Sequence, residues 1–282
     1  MNNIFADKVV LITGCSSGIG YGVAKGLKQR GYRVFATARK IEDVERLKTE
    51  GFESVQLDLT DSNSIRHAVT TILELTGGKL YGLFNNGAYG QVGAVEDLSR
   101  QALIEQFETN FFGTHELTCQ VIPAMRRQTE GRIIQNSSIL GLTVLPLRGA
   151  YNASKYALEG LSSTLRLELH GSGVHISLIE PGPIRSQFRK NCYPHFKRHI
   201  THIKNSPHQE KYAFAEQRLL KETDVAPFTL GTDAVLKKVI HALEAKKPKP
   251  HYFVTFPTYL LVTLRNLLPV SMMDWVARKI GG

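Results

Sequence analysis

From Val9 to Ile179, short runs of β-branched and aromatic residues alternate with longer stretches whose apolar residues recur at helical spacing. Strands are expected at Val9–Thr13, Arg33–Thr37, Ser54–Leu59, Tyr81–Asn86, Arg132–Ser137 and His175–Ile179, and helices at Tyr21–Arg30, Ile41–Glu50, Ser62–Thr76, about Ser99–Met125 and Tyr151–His170. Strand following helix following strand is the pattern of parallel pairing, because each crossover must return the chain to the same edge of the sheet. The expected fold is therefore α/β, a doubly wound parallel sheet with helices on both faces. A further helix, Thr232–Ala245, and a strand, His251–Phe256, extend the series, and no repeat or linker divides residues 1–282 into separate domains.

Two segments depart from this rhythm. Residues 186–230 are rich in Lys, Arg, His and Asn with interspersed aromatics, and read as an insertion that forms a substrate loop. Residues 257–282 form an apolar and basic tail, with helical spacing over Tyr259–Leu268 and Ser271–Ile280. Charge is placed unevenly too: residues 1–185 hold 19 Lys/Arg against 18 Asp/Glu, whereas residues 186–282 hold 16 against 7, a net of +9. Such asymmetry marks either a solvated basic face or anionic partners, such as a membrane surface, nucleic acid or acidic substrates. Nucleic acid is not expected, since no recognised module or basic-aromatic repeat is present. Cys15, Cys119 and Cys192 suggest neither a disulfide framework nor a zinc set. With no export-type N-terminal segment, a cytoplasmic location is expected, with peripheral contact at the inner face of a membrane as the alternative the basic C-terminal third leaves open.

Thr13-Gly14-Cys15-Ser16-Ser17-Gly18-Ile19-Gly20 follows the first strand and opens the first helix. Glycines there let the backbone turn tightly and approach a pyrophosphate, which also gains from the helix N-terminus. The end of the second strand, where a carboxylate would bind a free ribose 2′-hydroxyl, reads Thr37-Ala38-Arg39-Lys40. Arg39 can clamp a 2′-phosphate instead, so NADP(H) is the expected cofactor.

Tyr151 and Lys155 are four residues apart in a helical stretch, on one face, and Ser138 lies thirteen residues upstream of Tyr151 at a strand end. A free tyrosine titrates near about 10, so use as a base near neutrality needs a lowering of roughly 3 units, or about 4 kcal/mol. A fixed neighbouring cation supplies that kind of help. The pair reads as the proton-handling half of a carbonyl reductase.

Taken together, the glycine turn, Asp58, Asn85-Asn86, Asn110, Ser138, Tyr151-x-x-x-Lys155 and Pro181-Gly182 occur in the order of the short-chain dehydrogenase/reductase family, which the chain resembles over residues 8–256. The resemblance implies a Rossmann-type fold and a set of roles. Tyr151 would move the proton of the substrate oxygen, Lys155 would lower its pKa and hold the nicotinamide ribose, Ser138 would orient that oxygen, and Asn110 would support a water-linked relay. Gly14, Ser16, Ser17, Gly18, Ile19 and Gly20 would cradle the cofactor, Asp58 and Leu59 would line the adenine, and Asn86, Gly87 and Ala88 would pass beneath the adenosine ribose. Pro181, Gly182, Ile184 and Ser186 would flank the nicotinamide. Two positions differ from the family pattern: Gly87-Ala88 exchanges the usual order of two small residues, and Ser186 replaces a common threonine.

Within the family the chain is similar to bacterial aldehyde reductases related to hydroxysteroid and retinol dehydrogenases, which implies a small apolar carbonyl or alcohol substrate. Leu140, Leu142, Leu145, Leu147 and Phe188 are candidate pocket walls. The resemblance further implies a homodimer or homotetramer through the two long helices. A non-catalytic NADP(H) sensor or scaffold is the rival reading, and it predicts loss of Ser138, Tyr151 or Lys155, all present. His195, His199 and His202 share a helical face, but no carboxylate or cysteine completes a metal set and none is expected. The tail, with Pro269 interrupting it, is too short to span a bilayer; packing on the protein is expected ahead of lying in a membrane interface.

Overall fold

The computed structural model describes residues 5–281 apart from 202, 204, 205 and 225. Six parallel strands form one sheet in the order β2-β1-β3-β4-β5-β6: β1 (Val9–Ile12), β2 (Arg33–Ala36), β3 (Gly82–Asn85), β4 (Gly131–Asn136), β5 (Val174–Glu180) and β6 (His251–Phe253). Period-two alternation divides β1 to β5 between two cores. In β1, Val10 and Ile12 face α1 (Gly18–Gln29), α2 (Ile41–Thr49) and α9 (Thr232–Glu244), which supply Val23, Leu27, Val44, Val235 and Val239. Val9 and Leu11 face the opposite layer, where α3 (Ser62–Leu75), α5 (Gly113–Arg127) and α6 (Gly149–Glu168) supply Ile65, Ile72, Leu117, Val121 and Leu165. This is the single-domain, doubly wound architecture expected from the alternation.

Three expectations need correction. Ser54–Leu59 is not a strand: the chain here pairs along the β2 side through two isolated bridges, Phe35–Glu53 and Ala38–Gln56. Between them the Ser54 hydroxyl donates to the Ala36 carbonyl at 2.6 Å, occupying an acceptor a continuous ladder would use. The helix expected over 99–125 is present over 100–127 but not regular: a π turn at Glu108–Phe112 lies between α4 (Arg100–Phe107) and α5. Finally, much of 186–230 is ordered helix, α7 (Phe188–His199) and α8 (Gln209–Leu220). Cys192 and Phe196 on α7, and Tyr212, Ala215 and Leu219 on α8, close a third core over Val92 and Ala94. Their helical spacing is diluted in the sequence by exposed basic residues.

The tail forms α10 (Phe256–Leu267) and α11 (Val270–Gly281), separated at Pro269. Thr258 is the sole buried residue of α10, and α11 has none. No helix among the described residues is long and apolar enough to cross a membrane. β2 and β3 leave β1 on opposite sides, so the strand order reverses there and opens a crevice at the carboxyl ends of the strands, the usual place for a ligand in such sheets.

Candidate active site

The glycine turn occupies that crevice. Gly14 has φ +71°, and a Cβ on it would lie 2.8 Å from the Gly87 Cα, so the turn after β1 and the loop after β3 are in backbone contact. Thr13 fixes the contact: its hydroxyl oxygen accepts from the amides of Asn86 and Gly87 at 2.9 and 2.8 Å. Asn86 reciprocates by donating Nδ2 to the carbonyls of Thr13 at 3.0 Å and Gly14 at 3.2 Å. A Cβ on Gly87 would press at 3.1 Å on Leu59 and 3.3 Å on Thr13, which explains the glycine at 87 and moves the alanine to the half-buried position 88. The helix beyond starts at Gly18, with Ile19 packed on the first core and Gly20 buried. Its N-cap Ser17 makes no side-chain cap, leaving first-turn amides to an anion, while Arg46 ties down the Ser16 carbonyl at 2.7 Å.

Arg39 stands exposed just past β2, and its guanidinium has no hydrogen-bond or ion-pair partner among the described residues. Asp58 accepts from the Thr60 amide and hydroxyl at 2.9 and 2.8 Å, and Leu59 beside it is buried. On the other flank the Pro181 carbonyl accepts from Ile139 at 2.9 Å, Gly182 lies against Thr255, and Ile184 bridges to Leu230. The Ser186 hydroxyl donates to the Ile184 carbonyl and accepts from the Phe188 amide, both at 3.4 Å.

The four candidate catalytic residues are all buried. Ser138 ends the β4 segment and its oxygen accepts from the Leu140 amide at 3.1 Å. Tyr151 sits in the first turn of α6 with its ring edge-on to Phe188, centroids 5.6 Å apart. Burial pushes its phenol well above the ordinary tyrosine value, and a hydrogen bond with Ser138 opposes that rise. One turn on, the Lys155 Nζ lies 5.7 Å from the Tyr151 ring centroid and donates to the Asn136 carbonyl at 2.6 Å. Burial brings Lys155 down to about 8, partly offset by the charge of Glu159. Asn110 sits in the π turn, where its Oδ1 accepts from the Tyr89 amide at 3.1 Å. Its Nδ2 donates to the Tyr89 carbonyl at 2.9 Å and the Ser154 hydroxyl at 3.2 Å. Its side chain thus holds the loop after β3 to α6.

A glycine cradle at the reversal point of a parallel sheet, facing a buried Ser-Tyr-Lys group, is matched by known proteins. Residues 8–196 match the short chain dehydrogenase family model. The chain is a short-chain dehydrogenase. It is 45% identical over 268 residues to the uncharacterized oxidoreductase YbbO of Escherichia coli, covering 95% of this chain and 93% of that one. It is 32% identical over 274 residues to a 3-ketodihydrosphingosine reductase of Bacteroides thetaiotaomicron, covering 96% and 97%. Among solved structures, a short chain dehydrogenase/reductase of Burkholderia phymatum in complex with NAD shares the fold, with a TM-score of 0.77, 24% identity and coverage of 93% and 94%. The family binds a nicotinamide dinucleotide, and the residues here fit one: two backbones meet without side chains between them, and a helix N-terminus is uncapped.

Other residues of this dehydrogenase gather differently from their sequence pattern. His195 stacks on Tyr89 with centroids 3.7 Å apart, and burial holds it down at about 4, whereas the His199 Nε2 meets Glu105 at 3.0 Å. His202 lies outside the described residues. The proposed leucine pocket divides: Phe188 meets Tyr151, but Leu145 and Leu147 line a cavity beneath α11. Two contributors have no sequence signal. Asn136 serves through its carbonyl, and Cys192 accepts from the Gly90 amide at 3.2 Å, its thiol pushed up to about 12 by burial. Beyond Lys155, three chain segments bring Glu159, Glu180 and His251 together.

Proposed function

We propose that this short-chain dehydrogenase is an NADP(H)-dependent reductase of apolar aldehydes or ketones, able to run in reverse on the alcohols. The observation that carries the reading is the convergence of Ser138, Tyr151 and Lys155 in a buried group at the mouth of the nucleotide crevice. When bound, the nicotinamide supplies or accepts the hydride. Burial keeps the Tyr151 phenol protonated at neutral pH, so it is ready to donate to a carbonyl oxygen as negative charge develops there. Ser138 donates a second hydrogen bond to that oxygen, and the Lys155 cation stabilises the phenolate left behind. In the oxidative direction the phenolate takes the alcohol proton.

Arg39 supports NADP(H): an exposed cation past β2, without a protein partner among the described residues, suits a 2′-phosphate. Phe188 over Tyr151 supports an apolar substrate, as does the likeness to a 3-ketodihydrosphingosine reductase. Leu103, Ile104, Phe112 and Leu167, exposed on the long helices, suit burial in a homodimer or homotetramer. Tyr259, Leu260 and Trp275, exposed beside Arg278 and Lys279, suit peripheral contact with the inner face of a membrane; truncation after Pro257 then abolishes salt-sensitive liposome co-sedimentation, and equal binding by the truncated chain rejects that contact. The decisive experiment follows NADPH oxidation over aldehydes and ketones of rising chain length. Tyr151→Phe is expected to lower kcat by about 100-fold or more. Unchanged activity in that variant overturns the mechanism.

A further inference from the structure

Two cavities lie outside the catalytic machinery, beneath α11, and they meet. The larger, about 600 Å³, is an apolar trough walled by Val95, Val144, Leu145, Ala153, Tyr156 and Ala277. Its volume falls within the range of small-molecule sites, roughly 300–1,000 Å³. The smaller, about 270 Å³, is lined by Arg148, Lys211, Arg218 and Arg278 around Phe214. Pro146, Leu147 and Arg278 line both, so the trough opens onto the basic pocket.

Among the described residues no carboxylate lines the basic pocket and none of its four cations forms an ion pair; Asp274, the one described acid at either cavity, belongs to the trough. Arg148 and Arg218 are half-buried, on α6's N-cap and on α8. Burial and the facing Arg218 bring Arg148 down to about 10, and burial with Arg189 lowers Arg218. Among the described residues the Arg148 guanidinium hydrogen-bonds only the Leu147 carbonyl, at 3.3 Å. Leu147 itself has φ +59°, a conformation costing a branched residue about 1–2 kcal/mol, and its carbonyl also accepts from the Gly93 amide at 3.0 Å. Crowded, partly desolvated guanidinium groups are costly unless an anion joins them.

We propose that these cavities form one binding site for an anionic amphiphile, a single alkyl chain ending in a carboxylate or phosphate, with the chain in the trough and the anion on Arg148 and Arg218. The site goes beyond the reductase reading and uses none of its catalytic groups. Trp275, the single tryptophan of the chain, lies on α11 one turn before Arg278 and reports on it.

The test titrates the full chain with decanoate, decyl phosphate, 1-decanol and inorganic phosphate, below micelle formation, and reads Trp275 fluorescence and calorimetric heat. Decanoate and decyl phosphate are expected to bind at least about 10-fold more tightly than decanol, as charged hydrogen bonds allow. Decyl phosphate should likewise exceed inorganic phosphate, because the trough contributes. Arg218→Gln and the surface variant Lys211→Gln should each weaken the two anions while leaving decanol unchanged, and Ala277→Phe should weaken all three alkyl ligands. Saturating NADPH and Tyr151→Phe should leave the affinities unaltered, which separates this site from the catalytic one. Equal binding of decanol and decanoate overturns the proposal, as does inorganic phosphate matching decyl phosphate. Binding to anionic vesicles without binding of monomeric amphiphile overturns it too, and assigns the basic surface to a membrane.

Discussion

Glu159 provides a measurement of how strongly the interior behind the active site resists charge. It lies one turn beyond Lys155 on α6 and is 8% exposed. A carboxylate oxygen stands 4.0 Å from the His251 Nδ1, which in turn is 2.6 Å from an oxygen of the fully buried Glu180. Burial and the Glu180 charge push Glu159 up to about 7, against the opposing pull of Ser137, His251 and Lys155. A carboxyl that holds its proton more tightly when folded contributes stability below its unfolded pKa and loses it as pH rises through its folded pKa. The window therefore runs from about 4.5 to about 7. A rise of roughly 2.5 units corresponds to about 3 kcal/mol.

Glutamine keeps the shape and donor capacity of the protonated acid but cannot ionise. Glu159→Gln should leave stability within about 1 kcal/mol at pH 5 and raise it by about 2–3 kcal/mol at pH 8, measured by urea denaturation followed by circular dichroism. The same variant removes the attraction that holds Lys155 up, so the alkaline fall in reductase activity should move to lower pH. A stability difference independent of pH, or a variant less stable at pH 8, refutes the reasoning.

Arg39→Ala should raise KM for NADPH by about 10-fold or more, as expected for loss of a charge-assisted phosphate contact, with KM for NADH little changed; equal effects on both cofactors reject the 2′-phosphate assignment. Gly113→Ala would place a Cβ 1.8 Å from the Leu59 carbonyl oxygen, a backbone clash expected to cost about 3 kcal/mol in thermal or urea unfolding. Phe196→Ala empties the centre of the third core, where Phe196 is fully buried, and should cost about 3–5 kcal/mol locally. Limited proteolysis should then cut within 186–230 while the sheet remains intact. His195 should remain uncharged down to about pH 5 in an NMR titration, because burial holds its pKa at about 4.

Features set by local pattern were legible in the sequence. The β1 run, the glycine turn and the Tyr151–Lys155 spacing each depend on residues within one or two helical turns, and the fold sets the turn between β1 and α1 and the pair one turn apart on α6. Features set by tertiary contact were not. Nothing near Ser54 tells that its hydroxyl takes the Ala36 carbonyl and interrupts a ladder. Phe196 and Tyr212 look like aromatics scattered through a basic segment until α7 and α8 close over Val92. The leucines of 140–147 share a short loop, but Leu145 and Leu147 line the trough beneath α11 and Leu140 and Leu142 do not. At Asn110 the residue type was legible, while its partners Tyr89 and Ser154 come from two other elements.

The π turn at Glu108–Phe112 holds one residue more than an α-helical path through the same space requires. A π turn takes up its extra residue by widening locally, so the helix before and after it keeps one phase, and Leu117, Val121 and Met125 face the sheet as they would on a regular helix. Removing one residue from 108–112 would leave an α-helical path through the same space with α5 in place, while drawing Asn110 off the amide and carbonyl of Tyr89. The extra residue thus serves the loop after β3 and not the core, and a deletion there is expected to spare folding while releasing that loop from α6.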